Sequence, residues 1–175
     1  AIALILALII RTFIIQAFKI PTGSMRPTLR EGDRILVSKF RYGPKVPLTH
    51  YRLPGFAKPQ RGDVIVFIYP EDPTKDFIKR LIAEGGETAE VKDGRIYING
   101  QVLDGLPFQG IYYYNRDKYG EVGQKIKVPQ DHYYVLGDNS ASSRDSRYWG
   151  FVPKDMVVGR AELIYWPPTR IRMIK

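Results

Sequence analysis

The sequence contains no cysteine, and only two of its 175 residues are histidine, His50 and His132. Without cysteine the chain can form no disulfide, no thiolate nucleophile and no cysteine-based metal site. Two histidines nearly exclude a Ser-His-Asp triad or a histidine-rich metal site. Acidic residues are in deficit, with 18 Asp and Glu against 27 Lys and Arg. The net charge of +9 fits contact with nucleic acid, anionic lipid or acidic substrates, or a basic soluble surface.

A long apolar run opens the chain. Residues 1–18, AIALILALIIRTFIIQAF, are apolar apart from Arg11, Thr12 and Gln16. A membrane-spanning helix needs about 20 apolar residues, so we interpret residues 1–18 as the outer part of a transmembrane anchor whose beginning is missing. A cleavable signal sequence fits less well, because no basic segment precedes the run and no small-x-small cleavage site ends it. A buried core helix is the other alternative.

Beyond residue 20 the pattern is typical of a mostly β protein. Apolar, β-branched segments are introduced by Gly-Asp turns, and Asp-Gly and Asn-Gly pairs indicate hairpins. The predicted strands lie at residues 32–40, 62–69 and 76–83, twice within 87–103, and over the sequences KIKVP, HYYVLGD and VVGRAELIYW. Residues 41–60 and 104–124, rich in Pro, Gly and Tyr, are predicted loops. We therefore expect twisted antiparallel sheets.

The segment IPTGSMRPTL at residues 20–29 places Ser24 directly after Gly23 and between Pro21 and Pro27. Two prolines prevent a regular helix, and the glycine permits an unusual backbone beside the serine. Such a loop can present a hydroxyl and free backbone N–H groups to a substrate. Taken alone, a serine in a Pro/Gly loop is usually only a turn residue.

Lys79 lies in the segment DFIKRLIAEGGE, where strand alternation puts it on one face with Phe77 and Leu81. Burial among apolar neighbours lowers the pKa of a lysine, and a neutral amine can act as a general base. Alternation directs Asp76 to the other face, away from the amine. The alternative is a surface lysine whose stem alone contacts apolar residues.

A third segment, GDNSASSRDSRYWGFVP at residues 137–153, is crowded with short hydrogen-bonding side chains. This composition predicts a rigid polar network, with a solvated loop as the alternative. Together with the strand GDVIVF, the three segments resemble type I signal peptidases, the bacterial leader peptidase family. The resemblance extends from Phe18 to the end of the chain. It implies the mostly β, signal peptidase/LexA-like fold with an N-terminal transmembrane helix.

The resemblance also implies a domain organisation and a reaction centre. It places a catalytic β core at 19–83 and 135–175, and a short inserted second β domain at 84–134. Ser24 falls on the nucleophile of a Ser/Lys dyad and Lys79 on its general base. The oxyanion hole falls on the Ser24 N–H and on the hydroxyl of Thr22, which replaces the serine of some members and keeps the hydroxyl.

Further roles follow from the same resemblance. Ser143 falls on the serine that orients the lysine amine, and Asp145 and Arg147 fall on the supporting ion pair. The substrate pockets fall on apolar residues, namely Phe18, Ile20, Met25, Leu29, Ile35, Val66 and Ile78.

The implied function is a membrane-bound serine endopeptidase that removes signal peptides from exported preproteins, after small residues at positions −1 and −3. It works through an acyl-enzyme and requires no metal or cofactor. The expected partners are preprotein signal peptides, membrane lipid and the protein export machinery, but no nucleic acid. The expected location is the plasma membrane, with the catalytic domain on the extracytoplasmic side.

Two alternatives stay open at the level of sequence. A LexA-like self-cleaving Ser/Lys protease would share the fold and chemistry, but such proteins carry a DNA-binding domain where this chain has its apolar N-terminus. A non-enzymatic membrane-associated binding module would leave Ser24, Lys79 and the polar network unexplained.

Overall fold

A computed structural model describes residues 2–46, 49 and 51–175 of the chain, so His50 and the first residue of the expected anchor lie outside the described residues. Regular structure is mostly β, as the sequence predicts. In chain order the strands are β1 (Ile15–Lys19), β2 (Arg34–Ser38), β3 (Val64–Ile68), β4 (Asp76–Glu84), β5 (Thr88–Lys92), β6 (Arg95–Ile98), β7 (Gln101–Val102), β8 (Lys125–Lys127), β9 (His132–Leu136), β10 (Val152–Pro153), β11 (Val157–Trp166) and β12 (Arg172–Met173).

The larger of two sheets is antiparallel and has eight strands in the order β1-β2-β11-β3-β4-β9-β10, with β12 paired to β11. Irregular register interrupts the pairing of β4 with β9 and of β11 with β2 and β3. Such bulges increase the local twist, which curls the sheet. β4 lies between β3 and β9 and is buried on both faces from Lys79 to Ala83.

The smaller sheet has four strands in the order β7-β6-β5-β8 and falls inside the range predicted for a second β domain. The hairpin between β5 and β6 turns at Asp93 and Gly94, which have φ of 52° and 75°. Positive φ at both positions is the conformation that a two-residue hairpin requires. Val91 and Ile96 of this sheet share a core cluster with Ile82 of β4, so the two sheets pack against each other.

The N-terminal segment departs from the expected anchor over residues 1–18. Helix α1 covers Ile2–Ile9, a wider π-type turn covers Ile10–Ile14, and the chain then enters β1. Residues 15–19 are extended because their backbone pairs with β2, from Ile15 opposite Ser38 to Lys19 opposite Arg34. Within residues 2–46, 49 and 51–175, no helix has the length and apolar character needed to cross a membrane.

Short helical elements complete the described chain. Helix α2 covers Ser146–Trp149, and 3-10 turns cover Phe40–Tyr42, Ser140–Ser142, Lys154–Met156 and Pro168–Arg170. Two of these elements, the 3-10 turn at Ser140–Ser142 and helix α2, follow β9 and belong to the polar segment (residues 137–153). They bring residues 137–147 against β4 and against the serine loop, which is the loop of residues 20–29 that contains Ser24.

Candidate active site

The structure brings Ser24 and Lys79 into direct contact across 55 residues of sequence. The Nζ of Lys79 lies 2.8 Å from the Oγ of Ser24 and 2.9 Å from the carbonyl oxygen of Ile78. Both side chains are buried, with 9% and 4% of their residue surfaces exposed. A neutral amine can donate to the Ile78 carbonyl and accept the Ser24 hydroxyl proton with its lone pair. The geometry therefore suits proton transfer from serine to lysine.

Burial shifts the protonation equilibrium of Lys79 toward the neutral amine. Burial lowers the pKa of Lys79 from 10.5 to about 8, while the charges of Asp145 and Asp138 act in the opposite direction. Each of these carboxylates is already paired with an arginine. Lys79 itself forms no ion pair among residues 2–46, 49 and 51–175. The ring of Phe77, 5.4 Å from Nζ, adds weak stabilisation of the ammonium.

The loop around Ser24 is fixed through its carbonyl groups. The backbone N–H of Asn139 donates to the Ser24 carbonyl at 3.0 Å, and the Asn139 side-chain amide donates to the Gly23 carbonyl at 2.9 Å. The Ser24 N–H has no acceptor in the described part of the chain. Thr22 is exposed and lines the same cleft as Ser24. Both groups are hydrogen-bond donors at the cleft.

Asp145 and Arg147 form the ion pair that the resemblance implies. Both side chains are fully buried, and Arg147 contacts Asp145 at 2.8 Å through Nε and through its terminal nitrogen. Asp145 also accepts the backbone N–H of Gly137 at 3.0 Å. Since Gly137 follows β9 directly, the pair ties the polar segment to the end of a sheet strand. A buried pair with this many hydrogen bonds acts as a rigid support.

Ser143 lies beside Gly137, next to the backbone of Ser24, but it forms no hydrogen bond with Lys79. Its buried hydroxyl has no hydrogen-bond partner among the described residues, so the expected bond to the amine is absent from this conformation. Gly137 separates Ser143 from the Ser24 backbone, and a Cβ at position 137 would collide with both. Ser143 is thus held beside the serine loop by close backbone packing.

A second buried ion pair was not foreseen from the sequence. Arg80, the residue after Lys79, contacts Asp138 at 2.8 Å and 2.6 Å, and both side chains are almost fully buried. Thr28 donates its hydroxyl to the same carboxylate, which connects the pair to the serine loop. Strand alternation does put Arg80 on the face opposite Lys79, and Asp138 belongs to the predicted polar network. These two features of the sequence could have indicated the pairing of Arg80 with Asp138.

Ser24 and Lys79 open into a cleft of about 510 Å³ lined by residues 21–24, residues 76–79 and the polar segment. An adjoining cavity of about 40 Å³ shares Pro21, Phe77 and Ile78 with the cleft. Five of the seven predicted substrate residues line this small cavity, namely Phe18, Ile20, Ile35, Val66 and Ile78.

The other two predicted substrate residues, Met25 and Leu29, line neither the cleft nor the small cavity. Both are completely buried in the core cluster that contains Ile20, Ile35 and Val66. The structure therefore places both side chains in the core beside residues that line the small cavity. Their contact with substrate stays a prediction.

Comparison with known proteins gives a consistent result. The family model described as "Signal peptidase, peptidase S26" matches residues 1–166. Signal peptidase I of Pseudomonas fluorescens is 36% identical over 202 residues, which cover 96% of this chain and 71% of that protein. Signal peptidase I of Leptolyngbya laminosa is 40% identical over 177 residues, which cover 97% of this chain and 77% of that protein.

A solved structure is also similar. The crystal structure of a signal peptidase I from Enterococcus faecalis V583 is 35% identical in sequence and superposes with a TM-score of 0.50. The superposition covers 59% of this chain and 97% of that chain. At this identity the likeness extends to sequence as well as to the curled antiparallel sheet.

Proposed function

The chain belongs to the signal peptidase family, peptidase S26, and from this membership we propose that it cleaves signal peptides from exported preproteins as a Ser/Lys endopeptidase. The observation that supports this most is the 2.8 Å contact between the Ser24 hydroxyl and the buried, unpaired amine of Lys79. A serine becomes a strong nucleophile only beside a base that can take its proton. Lys79, with its pKa lowered to about 8, is such a base.

Acylation begins when the neutral amine of Lys79 takes the hydroxyl proton as the Ser24 Oγ attacks the scissile carbonyl carbon. The resulting oxyanion accepts hydrogen bonds from the Ser24 N–H and the Thr22 hydroxyl, each worth about 3 kcal/mol in comparable sites. The Lys79 ammonium then gives its proton to the leaving nitrogen. The C–N bond breaks, the mature protein departs with a new amino terminus, and the signal peptide remains as an ester on Ser24.

Deacylation uses the same base a second time. Lys79, neutral again, takes a proton from a water molecule as the water oxygen attacks the ester carbonyl. The C–O bond to Ser24 breaks, and the ammonium returns a proton to the serine oxygen. In this proposal Ser143 orients the amine, which its buried and unpartnered hydroxyl beside the serine loop supports. Asp145 and Arg147 hold the segment from which Ser143 projects.

Substrate selection follows from the size of the small cavity. At about 40 Å³ it has room for a methyl-sized side chain, which suits small residues at positions −1 and −3. A peptide lying extended between residues 20–23 and 76–78 would act as an added strand. Alternate side chains of an extended peptide point to the same side, so residues −1 and −3 would face the cavity wall together.

We place the membrane at the N-terminal end of the domain. Helix α1 exposes apolar side chains, including Ile2, Leu4 and Leu8, and is the segment best suited to contact lipid. Ser24 is ten positions after Ile14, which limits the distance between them to about 33 Å. Surplus Lys and Arg would add attraction to anionic lipid. A catalytic site on the extracytoplasmic face, near the export machinery, fits a substrate whose cleavage site follows an apolar segment.

The domain assignment belongs to the same proposal. Residues 19–83 and 135–175 supply both the dyad and the cleft, and serve as the catalytic β core. Residues 84–134 contain the smaller sheet and serve as the inserted second β domain.

The direct test is cleavage of a preprotein by the purified chain in lipid vesicles, with products identified by mass spectrometry. We expect a single cut after position −1 when Ala occupies −1 and −3, loss of the cut with Leu at both, and an acyl-enzyme on Ser24. Ser24→Ala should be inactive. Ser38→Ala is the matched control, because Ser38 is a buried serine outside the cleft and the small cavity. A cut that persists in Ser24→Ala, or self-cleavage of the chain alone, would contradict the proposal.

A further inference from the structure

A second cavity, of about 530 Å³, borders the serine loop at residues 26–28, whereas the small cavity borders it at residues 20 and 21. It shares Arg26 and Asn139 with the cleft that contains Ser24 and Lys79, so the two spaces adjoin at these residues. Pro27 and Thr28 of the serine loop form one side. The opposite side comes from residues 107–114, in the loop that follows β7.

Hydrogen bonds attach the wall formed by residues 112–114 to the polar segment. The backbone N–H of Tyr114 donates to the Ser140 hydroxyl at 2.9 Å, and its carbonyl accepts from Arg147 at 2.7 Å. Arg147 also forms the ion pair with Asp145, so one network of hydrogen bonds holds both the polar segment and the cavity wall. On the other side, the Tyr113 N–H donates to the carbonyl of Gly94 at 2.9 Å. The cavity is therefore already formed without a ligand.

Two aromatic side chains of this wall are exposed to solvent. Tyr112 and Tyr114 are 59% and 43% exposed, with ring centroids 4.8 Å apart. The Tyr112 ring packs on the backbone of Gly94, where a Cβ would collide with it. Gly94 has φ of +75°, so glycine is favoured there for a second reason. Rigid, exposed tyrosines provide contact area at low conformational cost and are enriched in binding sites.

The direction of the cleft indicates what this cavity would hold. From Lys79 the cleft extends back along β4 to Asp76, where the small apolar cavity lies, and that arm suits the acyl part of a substrate. The other arm passes Arg26 and Asn139 and enters the second cavity. A peptide bound across Ser24 with its acyl part in the first arm would continue along this second arm, on the side of the departing amine.

We propose that the second cavity binds the first residues of the mature chain, with Tyr112 and Tyr114 as the contacting side chains. The inference rests on the proposed signal peptidase function and adds a specificity to it. Arg116 lies 5.7 Å from the Tyr114 ring and forms no ion pair within the described residues. Arg26 is paired with Glu31 and Asp138 with Arg80, so Arg116 leaves the rim positive. An acidic residue at position +2 or +3 is therefore favoured over a basic one.

The test compares two substrates with the same signal segment. One continues through four mature residues, and the other ends after −1 in an aminocoumarin leaving group. The measured quantity is the ratio of their kcat/KM values. Tyr112→Ala/Tyr114→Ala should lower this ratio about tenfold, because only the longer substrate reaches the cavity. Tyr51→Ala, at an exposed tyrosine that lines neither space, should leave the ratio unchanged.

Two further measurements control for folding and test the charge preference. Tyr112→Phe/Tyr114→Phe keeps the rings and should retain most of the ratio, which separates lost contact from a damaged fold. Asp at +2 and +3 should be preferred over Lys by about two- to fivefold in wild type, and Arg116→Glu should remove or reverse this preference. An unchanged ratio in the alanine pair together with no charge preference would overturn the inference. Absence of cleavage of both substrates by wild type would instead overturn the proposed function.

Discussion

The two faces of strand β4 carry neighbouring cations with opposite environments. Lys79 and Arg80 are adjacent in sequence and nearly equally buried, at 4% and 1% exposure. Arg80 meets the carboxylate of Asp138 through two contacts, whereas the nearest hydrogen-bond partners of the Lys79 amine are a hydroxyl and a carbonyl. Burial is the same on both faces, so the partner decides what each cation can do.

Residue type fits each environment for a physical reason. An ammonium can respond to burial by losing its proton, and the pKa of Lys79 is lowered to about 8 by that route. A guanidinium stays protonated in proteins and needs a buried carboxylate to balance its charge. The face of Lys79 can therefore perform proton transfer, while the face of Arg80 holds β4 to the serine loop and the polar segment.

The largest expected effect comes from breaking the Lys79 face. Lys79→Ala, Lys79→Arg and Ser24→Ala should each reduce kcat/KM for preprotein cleavage by about a thousandfold or more, because either group alone cannot generate the nucleophile. The arginine variant keeps the positive charge and loses only the ability to act as a base. Since a dyad acts as a unit, Ser24→Ala/Lys79→Ala should be hardly worse than either single variant. Losses that multiply in the double variant would argue against a shared step.

Breaking the Arg80 face should affect stability first. Arg80→Met leaves the Asp138 carboxylate buried and unpaired, which we expect to lower the free energy of unfolding by about 3–5 kcal/mol in urea titrations. The matched control is Arg80→Met/Asp138→Leu, which removes both charges and should recover most of the loss. A single variant as stable as wild type would mean that the pair contributes little.

Replacing Lys79 by methionine should have the opposite effect on stability from replacing Arg80. Lys79→Met keeps an apolar stem and removes a buried amine whose pKa is lowered from 10.5 to about 8. The native state binds fewer protons than the unfolded state between these values, so wild-type stability rises with pH across that window. Below pH 8 the buried amine lowers the free energy of unfolding by its full amount, about 3 kcal/mol.

Lys79→Met should therefore be inactive but up to about 3 kcal/mol more stable than wild type at pH 7. The difference should shrink as the pH approaches 10.5, which paired urea titrations at pH 7, 9 and 10.5 would measure. A variant clearly less stable than wild type at pH 7 would indicate an ordinary charged lysine at this position.

The smallest effect concerns the rate of the wild type itself. If neutral Lys79 is the base, kcat/KM should rise with pH along an acid limb centred near pH 8 and then level off. At pH 7 the rate should be about a tenth of the plateau, because about a tenth of the amine is neutral. A rate that still climbs near pH 10 would place the pKa at its unperturbed value and contradict the assignment of the base.

Sequence reasoning worked best where local pattern and chemistry coincide. Gly-Asp turns and β-branched runs predicted β2 and β3, the apolar segment at residues 76–83 predicted β4, and alternation predicted that Lys79 and Phe77 share a face. It failed at residues 15–18, because a run of apolar residues does not reveal that β2 offers an edge for backbone pairing. Tertiary pairing overrides an apolar pattern of this length.

The same limit applies to the site. The inventory of polar residues in 137–147 predicted a network, but it could not say that Asp138 would pair with Arg80 while Asp145 pairs with Arg147. It also could not tell which apolar residues of the serine loop face a cavity and which, like Met25, face the core. Both distinctions depend on how separate elements meet in space.

Gly137 has a consequence for how this protein tolerates mutation. It contributes no reactive group, yet a single added carbon there would strike Ser143 and the Ser24 backbone together. In a library of all single substitutions scored for preprotein processing, position 137 would be nearly as intolerant as the proposed nucleophile Ser24 and base Lys79, even to alanine. Intolerance at such a position measures lack of space, so a map of sensitive residues overstates the number that take part in chemistry.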